Sequence, residues 1–389
     1  MGLVVWMCLI GSQEMQGQTK ADGRAAVWAK IAPYFSPPAA YQNQYGDFRP
    51  LLRFYNGDTV ETASDWQKRR QEIRNRWFQM MGPWPPLLTK QHLTVLDSLQ
   101  RDGFVQYQVQ FDWLPGQSTK GYLLVPAHKG KMPAVITVFY EPETAIGEGP
   151  PDHPYRDYAY QLAKRGFVTL SLGTTKTTEA KTYSLYYPSI AHSQTQPLSL
   201  LACAAANAWY ALSKVPRVDS NKIGIVGHSY GGKWAMFASC LFDKFVCGVW
   251  SDPGIVFDET KGSGVNYWEP WYLGYYPPPW SNTWRKKGMV EGAKGLYPRL
   301  VKEGYDLLEL HALMAPRPFL VSGGSSDRPV RWRVLNHTIK VNKLLGFKDR
   351  VAMTNRPDHS PTPEANKIAY LFFTYFLKDN GLAARQPSF

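Results

Sequence analysis

The sequence predicts an α/β fold, a mostly parallel central sheet with helices on both faces, and three observations carry that reading. Short apolar or β-branched runs alternate with helix-length amphipathic segments from residue 91 to residue 380, as in strand–helix–strand units. A chain of 389 residues that is 44% hydrophobic can bury one large core, which favours a single large domain with appendages. The third observation is local. The run Lys222-Ile223-Gly224-Ile225-Val226 stops at Gly227-His228-Ser229-Tyr230-Gly231, and helix-compatible residues follow from Lys233 to Ser239.

Taken in order, residues 1–20 contain the apolar run Leu3 to Ile10, too short to span a bilayer but suited to the middle of a secretory signal. The basic residues expected before that run are missing, so the segment reads as a truncated signal of a periplasmic or secreted bacterial protein. Residues 21–90 read as an N-terminal arm and an amphipathic helix. The arm, 20–60, is rich in Pro, Tyr and Asn without periodicity, and is expected to be irregular. Ser64-Asp65-Trp66 opens the helix, which runs to about Met81 with Trp66, Ile73, Trp77, Met80 and Met81 on one face, and Gly82-Pro83-Trp84-Pro85-Pro86 ends it.

From Leu93 the period shifts to two, predicting strands at 93–99, 104–113 and 119–126, then a fully buried strand at 133–140. The alternation continues with a helix over Arg156–Arg165, a strand over Phe167–Leu172, a helix over Leu198–Leu212 and the strand and helix flanking Ser229. Further strands are expected at Phe245–Trp250, Pro318–Ser322 and Arg350–Thr354, and helices at Asp306–Met314, Arg331–Leu345 and Pro363–Leu377. Residues 253–305 are too many for an ordinary connection. Their clusters Tyr267-Trp268-Glu269-Pro270-Trp271-Tyr272 and Tyr275 to Trp280 read as a lid over the C-terminal ends of the strands, where ligands bind in such sheets.

Lys and Arg exceed Asp and Glu by 13, a positive balance that suits an acidic partner. The basic residues are scattered, with no basic arm, which argues against nucleic acid. No second apolar run is long enough for a membrane span. Beyond Cys8, the cysteines Cys203, Cys240 and Cys247 fall in predicted helices and a predicted strand, so buried thiols are expected. No His/Cys/carboxylate cluster has metal-ligand spacing, and no cofactor is implied.

Gly-x-Ser-x-Gly between a strand and a helix is a nucleophile elbow: the glycines allow a sharp turn that lifts the serine hydroxyl above the sheet. A serine needs a base, and at such elbows the acid and then the histidine follow in sequence. Of the later histidines, His311 and His337 lie in predicted helices, whereas His359 lies in Arg356-Pro357-Asp358-His359-Ser360-Pro361, the loop after the last predicted strand. His359 is therefore the expected general base. Two aspartates end suitable strands, Asp327 after Phe319 to Ser326 and Asp252 after Val249-Trp250-Ser251. Asp327, at the commoner location, is preferred and Asp252 is the alternative. The backbone N–H of Tyr230 and one from the loop after the 133–140 strand, at Tyr140, are expected to form the oxyanion hole.

These residues resemble those of bacterial carbohydrate esterases of the α/β-hydrolase superfamily, chiefly glucuronoyl esterases and the related acetyl xylan and pectin methyl esterases. The resemblance covers about residues 60 to 378 and implies that Lys233 contacts a uronate sugar, that the acid can come from Asp252, and that Trp332 lines the site. Tyr230 stands where glucuronoyl esterases carry an arginine that assists the oxyanion. The activity so implied is hydrolysis of an ester on an acidic polysaccharide or oligosaccharide such as pectin or glucuronoxylan, with no metal. Trp268, Trp271, Trp280 and Trp332 are candidate sugar platforms, and Arg285, Arg328 and Arg331 candidate contacts to acid groups. Two rival readings are a serine peptidase of the prolyl oligopeptidase type, for whose propeller the N-terminal residues leave no room, and an inactive hydrolase fold that binds glycans.

Overall fold

Strands with nearly unbroken apolar sequences need cover on both faces, and in this chain they pair in parallel at the centre of the molecule. The computed structural model describes residues 23–174, 185–189, 191–260, 265, 267, 269, 271–275 and 294–378. Its main sheet has nine strands in the order β1-β2-β3-β5-β4-β6-β7-β10-β11. The parallel part is β5 (Val168–Leu172), β4 (Met132–Val138), β6 (Val218–His228), β7 (Gly248–Ser251), β10 (Phe319–Gly323) and β11 (Val351–Asn355). Along one edge β1 (Thr94–Arg101), β2 (Phe104–Leu114) and β3 (Gln117–Pro126) form an antiparallel wing, joined through β3 to β5. The sheet is therefore mixed and mostly parallel, as the alternation of elements predicts.

Two departures have simple causes. The arm is not wholly irregular: residues 23–31 are helical (α1), because Ala25, Ala26 and Ala29 favour helix and Trp28 finds a partner in Tyr375, with ring centroids 5.0 Å apart. Strand β6 begins at Val218, four residues before the apolar run, because Met132 of β4 extends the ladder to Val218 across an irregularity. The helix over Ala63–Met81 (α2) starts with a reciprocal cap, Asp65 N–H donating to Thr62 Oγ1 and Thr62 N–H to Asp65 Oδ2, each at 3.1 Å. Among the described residues no helix is long and apolar enough to cross a membrane. Of the predicted lid, residues 261–264, 266, 268, 270 and 276–293 lie outside the described residues. A two-residue ladder, β8 (Gly274–Tyr275) with β9 (Lys294–Gly295), closes its described ends.

Buried ion pairing fastens α2 to the body. Arg69, fully buried, donates to Glu309 Oε1 at 3.2 Å, to Glu72 Oε2 at 2.6 Å and to the Leu51 carbonyl at 3.2 Å. Trp77 Nε1 and Tyr55 Oη donate to Glu309 Oε2 at 2.8 and 3.0 Å. Removing one partner strands the other charge in a low-dielectric interior. Arg69→Met should therefore cost about 3–5 kcal/mol in urea unfolding, whereas the double change Arg69→Met/Glu309→Gln should regain part of that loss. A double variant no more stable than the single one would show that the pair is not coupled.

Candidate active site

Strands β6, β7, β10 and β11 end at the same edge of the sheet; Ser229 and Asp252 follow β6 and β7 directly, and Asp327 and His359 stand in the loops after β10 and β11. Ser229 follows β6 and precedes the helix Tyr230–Leu241 (α3). Its backbone sits at φ 57°, ψ −115°, a conformation that a non-glycine residue holds only under constraint. That constraint is close packing: a Cβ on Gly231 would fall on the carbonyl of Val138 in β4, so only glycine lets α3 approach the sheet this nearly. The Ser229 N–H donates to the Ser251 carbonyl of β7 at 2.8 Å.

From the loop after β11, His359 places Nε2 2.7 Å from Ser229 Oγ and Nδ1 2.6 Å from Asp252 Oδ2. With Nδ1–H donating to the carboxylate, Nε2 is left to accept the Ser229 proton. The imidazole is 40% exposed while Asp252 is fully buried, so the ring faces solvent and the carboxylate it bonds does not. Asp252 follows β7 with φ +49°. It receives the N–H groups of Gly324 (2.7 Å), Asp327 (2.9 Å) and Ser326 (3.2 Å). Burial alone would raise its pKa, but the hydrogen bond and charge of His359, the charge of Arg356 and the Ser326 N–H outweigh it and hold the carboxyl below its ordinary range.

The preference for Asp327 as the partner of His359 is corrected by this geometry. Asp327 turns the other way and accepts the N–H groups of Gly254 and Ile255, each at 2.7 Å. Burial and the neighbouring Asp252 push its pKa up to about 6. Its role is to shape the loop after β7, while its own N–H supports Asp252.

Several solved structures share this architecture. A glucuronoyl esterase from Solibacter usitatus matches with TM-score 0.65 and 16% identity, over 84% of this chain and 97% of that one. A carbohydrate esterase family 15 glucuronoyl esterase from Caldicellulosiruptor kristjansonii matches with TM-score 0.58 and 22% identity, over 91% and 95%. This is the α/β-hydrolase fold. A putative acetyl xylan esterase from Bacteroides fragilis matches at TM-score 0.50 and 16% identity, over 84% and 86%. No protein-family model and no curated protein sequence matches the chain.

Within this hydrolase fold the remaining predicted residues divide. Tyr230 opens α3, and its ring stacks on that of Tyr140 at 5.1 Å and 5°, so the elbow and the end of β4 that carry the two expected oxyanion donors are in contact. Lys233 is 3% exposed. Its ammonium donates to the Pro253 carbonyl and lies 4.1 Å from the Tyr267 ring centre, so the expectation that it meets a sugar from solvent is corrected. Burial drives its pKa down to about 7, partly offset by Asp327 and Asp252. Trp332, expected as a sugar platform, is 2% exposed and belongs to the main core, because it opens the helix Trp332–Leu344 on that helix's inner face. Trp271 is half-buried and Arg328 exposed, while Arg331 pairs with Asp258 at 2.7 Å. Trp268, Trp280 and Arg285 lie outside the described residues.

Arg356 is the functional-site residue that sequence reasoning passed over. Its buried guanidinium donates to the carbonyls of Ser322 (2.7 Å), His359 (2.6 Å) and Ser360 (2.7 Å), and to Ser251 Oγ (3.3 Å). It thus ties the His359 loop to the ends of β7 and β10. The one available signal was an arginine between the last predicted strand and the histidine, in a loop braced by two prolines. His228 packs beneath, its ring centroid 4.7 Å from that of His359 and Nδ1 3.0 Å from Ser251 Oγ. Burial, then the adjacent His359 and arginines, keep its pKa well below the usual histidine value.

Two expectations follow from the geometry. Arg356→Lys retains the charge but not the planar fork, and should lower kcat on an aryl ester by about 10²-fold through misplacement of His359, with KM little changed; equal losses in both constants would assign Arg356 to substrate binding instead. The second concerns acid. Folded Asp252 stays ionised below the ordinary value of 3.8, so near that pH the unfolded chain binds more protons. The stabilisation is complete above 3.8 and is lost as pH falls through the lowered folded value. Urea unfolding of the wild type and Asp252→Asn should show a stability gap that is steady above 3.8 and narrows as pH is lowered below it. A gap constant with pH would mean that the charge contributes nothing.

Proposed function

We propose that the protein is a secreted serine carboxylic-ester hydrolase acting on a polysaccharide, with uronic-acid polymers of the pectin or glucuronoxylan type as the substrate class. The observation that carries the proposal is the continuous chain Ser229 Oγ, His359, Asp252, with contacts of 2.7 and 2.6 Å. His359 Nε2 takes the Ser229 proton as Oγ bonds to the ester carbonyl carbon. The N–H groups of Tyr230 and of Tyr140 hold the oxyanion. Collapse of the tetrahedral adduct breaks the bond to the alkoxy oxygen, which leaves with the proton from His359. Water then gives a proton to Nε2 and attacks the acyl-enzyme, releasing the acid and restoring Ser229. Asp252 fixes the imidazole tautomer and stabilises the imidazolium between these steps.

Secretion is supported by the apolar run Leu3 to Ile10. An acidic polymer is supported by the net charge of +13 and by exposed Arg328 beside the site. The structural likeness to glucuronoyl esterases agrees with carbohydrate ester chemistry.

Ser229→Ala should abolish hydrolysis of an aryl acetate without changing the circular dichroism spectrum, and Asp252→Asn should lower kcat by about 10⁴-fold while Asp327→Asn costs far less. Turnover retained in Ser229→Ala, or a larger loss from Asp327 than from Asp252, would refute the assignment. Mass spectrometry of products from acetylated, methyl-esterified and glucuronoyl-esterified oligosaccharides then identifies the leaving group.

A further inference from the structure

A second concavity opens beside the oxyanion side of the site, with a volume of about 450 Å³, within the ~300–1,000 Å³ typical of small-molecule pockets. One wall is a polar face of the antiparallel wing. Gln108 and Gln110 alternate along β2, and their register partners on β3 are Tyr122 and Lys120, so all four project from the same side of the sheet. The opposite side carries Val109 and Phe111, both buried in the core. The facing wall is Glu141 and Glu143, immediately beyond Tyr140. Tyr122 Oη donates to Glu143 Oε1 at 3.2 Å and links the two walls.

Its position is set by the catalytic scaffold. The floor includes Gly173 at the end of β5, where a Cβ would lie 2.7 Å from Pro142 Cδ. The Tyr140 carbonyl accepts the Thr174 N–H at 2.7 Å, and the Tyr140 ring is the one stacked on Tyr230. The cleft therefore begins one residue from the expected oxyanion donor.

The chemistry of the lining is specific. Two primary amides both donate and accept, two carboxylates accept hydroxyl protons, and a phenol ring offers a face for stacking. Two carboxylates against one ammonium leave the lining negative in a protein whose overall charge is +13. Such a site repels a uronate and suits an uncharged, hydroxyl-rich ring. We infer that the cleft between the β2–β3 wing and the Glu141–Glu143 loop is a subsite for a neutral sugar unit of the substrate chain, adjoining the unit that carries the ester. This inference rests on the esterase reading for the identity of its ligand.

The test reads binding, so its outcome is separable from that of the Ser229 assay. Full-length protein carrying Ser229→Ala is titrated calorimetrically with xylohexaose, mannohexaose, cellohexaose and tetragalacturonate. At least one neutral hexaose should bind, and adding Gln108→Ala/Gln110→Ala should weaken the neutral ligand by about tenfold or more, as expected for two lost amide contacts, while tetragalacturonate affinity changes less. Lys120→Glu, at an exposed position of the same wall, provides a second variant: it makes the lining more negative and should weaken tetragalacturonate more than the neutral hexaose. In the protein with Ser229 intact, the same hexaose should inhibit aryl acetate hydrolysis competitively. Absence of binding by every neutral hexaose, unchanged neutral affinity in the double glutamine variant, or an equal loss of tetragalacturonate affinity in that variant would overturn the subsite. If Ser229→Ala leaves ester hydrolysis intact while the hexaose still binds, the esterase reading fails and the binding site stands.

Discussion

The buried carboxylate of Asp252 is the point on which the edge of the sheet that carries the candidate site is assembled. It sits at the end of β7, receives three backbone N–H groups from the loop after β10 and one N–H from the imidazole after β11. An anion held in an apolar interior is costly unless its lone pairs are filled, and here four donors drawn from two other strand ends fill them. The same contacts that make the carboxylate tolerable also dictate where those loops run. Ser229 needs no separate support of this kind, since β6 and α3 hold it by close packing.

That arrangement demands room. A Cβ on Gly324 would lie 2.8 Å from Asp252 Oδ2, so any other residue there would displace the carboxylate. On the far side, Arg356 bonds the His359 carbonyl and the Ser322 carbonyl at once, which keeps the imidazole loop in register with β10. The elbow, the acid loop and the base loop are thus tied to one another through backbone groups and one guanidinium, and water need not penetrate to satisfy any of those named contacts.

Much of the fold was legible because each central strand is a short apolar run that ends in a turn signal, and the helices between carry their own periodicity. Ser229 and His359 were legible for the same local reason: one stands between a strand and a helix, the other in a proline-braced loop after a strand. The choice between Asp252 and Asp327 was not. Both follow apolar strands, and which carboxylate turns inward depends on the positive φ of Asp252 and on the missing side chain of Gly324, neither of which any local pattern encodes. Lys233 and Trp332 misled because a basic or aromatic residue at the first turn of a helix reads equally well as surface or as core; tertiary packing puts both inside. Arg356 was hidden because its partners are carbonyls of strands distant in sequence.

Electrostatics separates the two aspartates as clearly as geometry does. Both are buried, which by itself would raise both pKa values. Asp252 collects three N–H donors, His359 and the nearby charge of Arg356, and falls below the ordinary carboxylate range. Asp327 has two N–H donors and the repulsion of Asp252, and rises to about 6. A carboxylate that orients a histidine must stay ionised through the cycle, because only the anion stabilises the imidazolium without taking its proton. Neighbouring acids whose surroundings push their pKa values apart acquire different roles: the lower one fits the partner of His359, and the raised one fits a buried hydrogen-bond acceptor that shapes the loop after β7. Lys233 is buried beneath the elbow, where burial lowers its pKa to about 7 and the two carboxylates offset part of that fall.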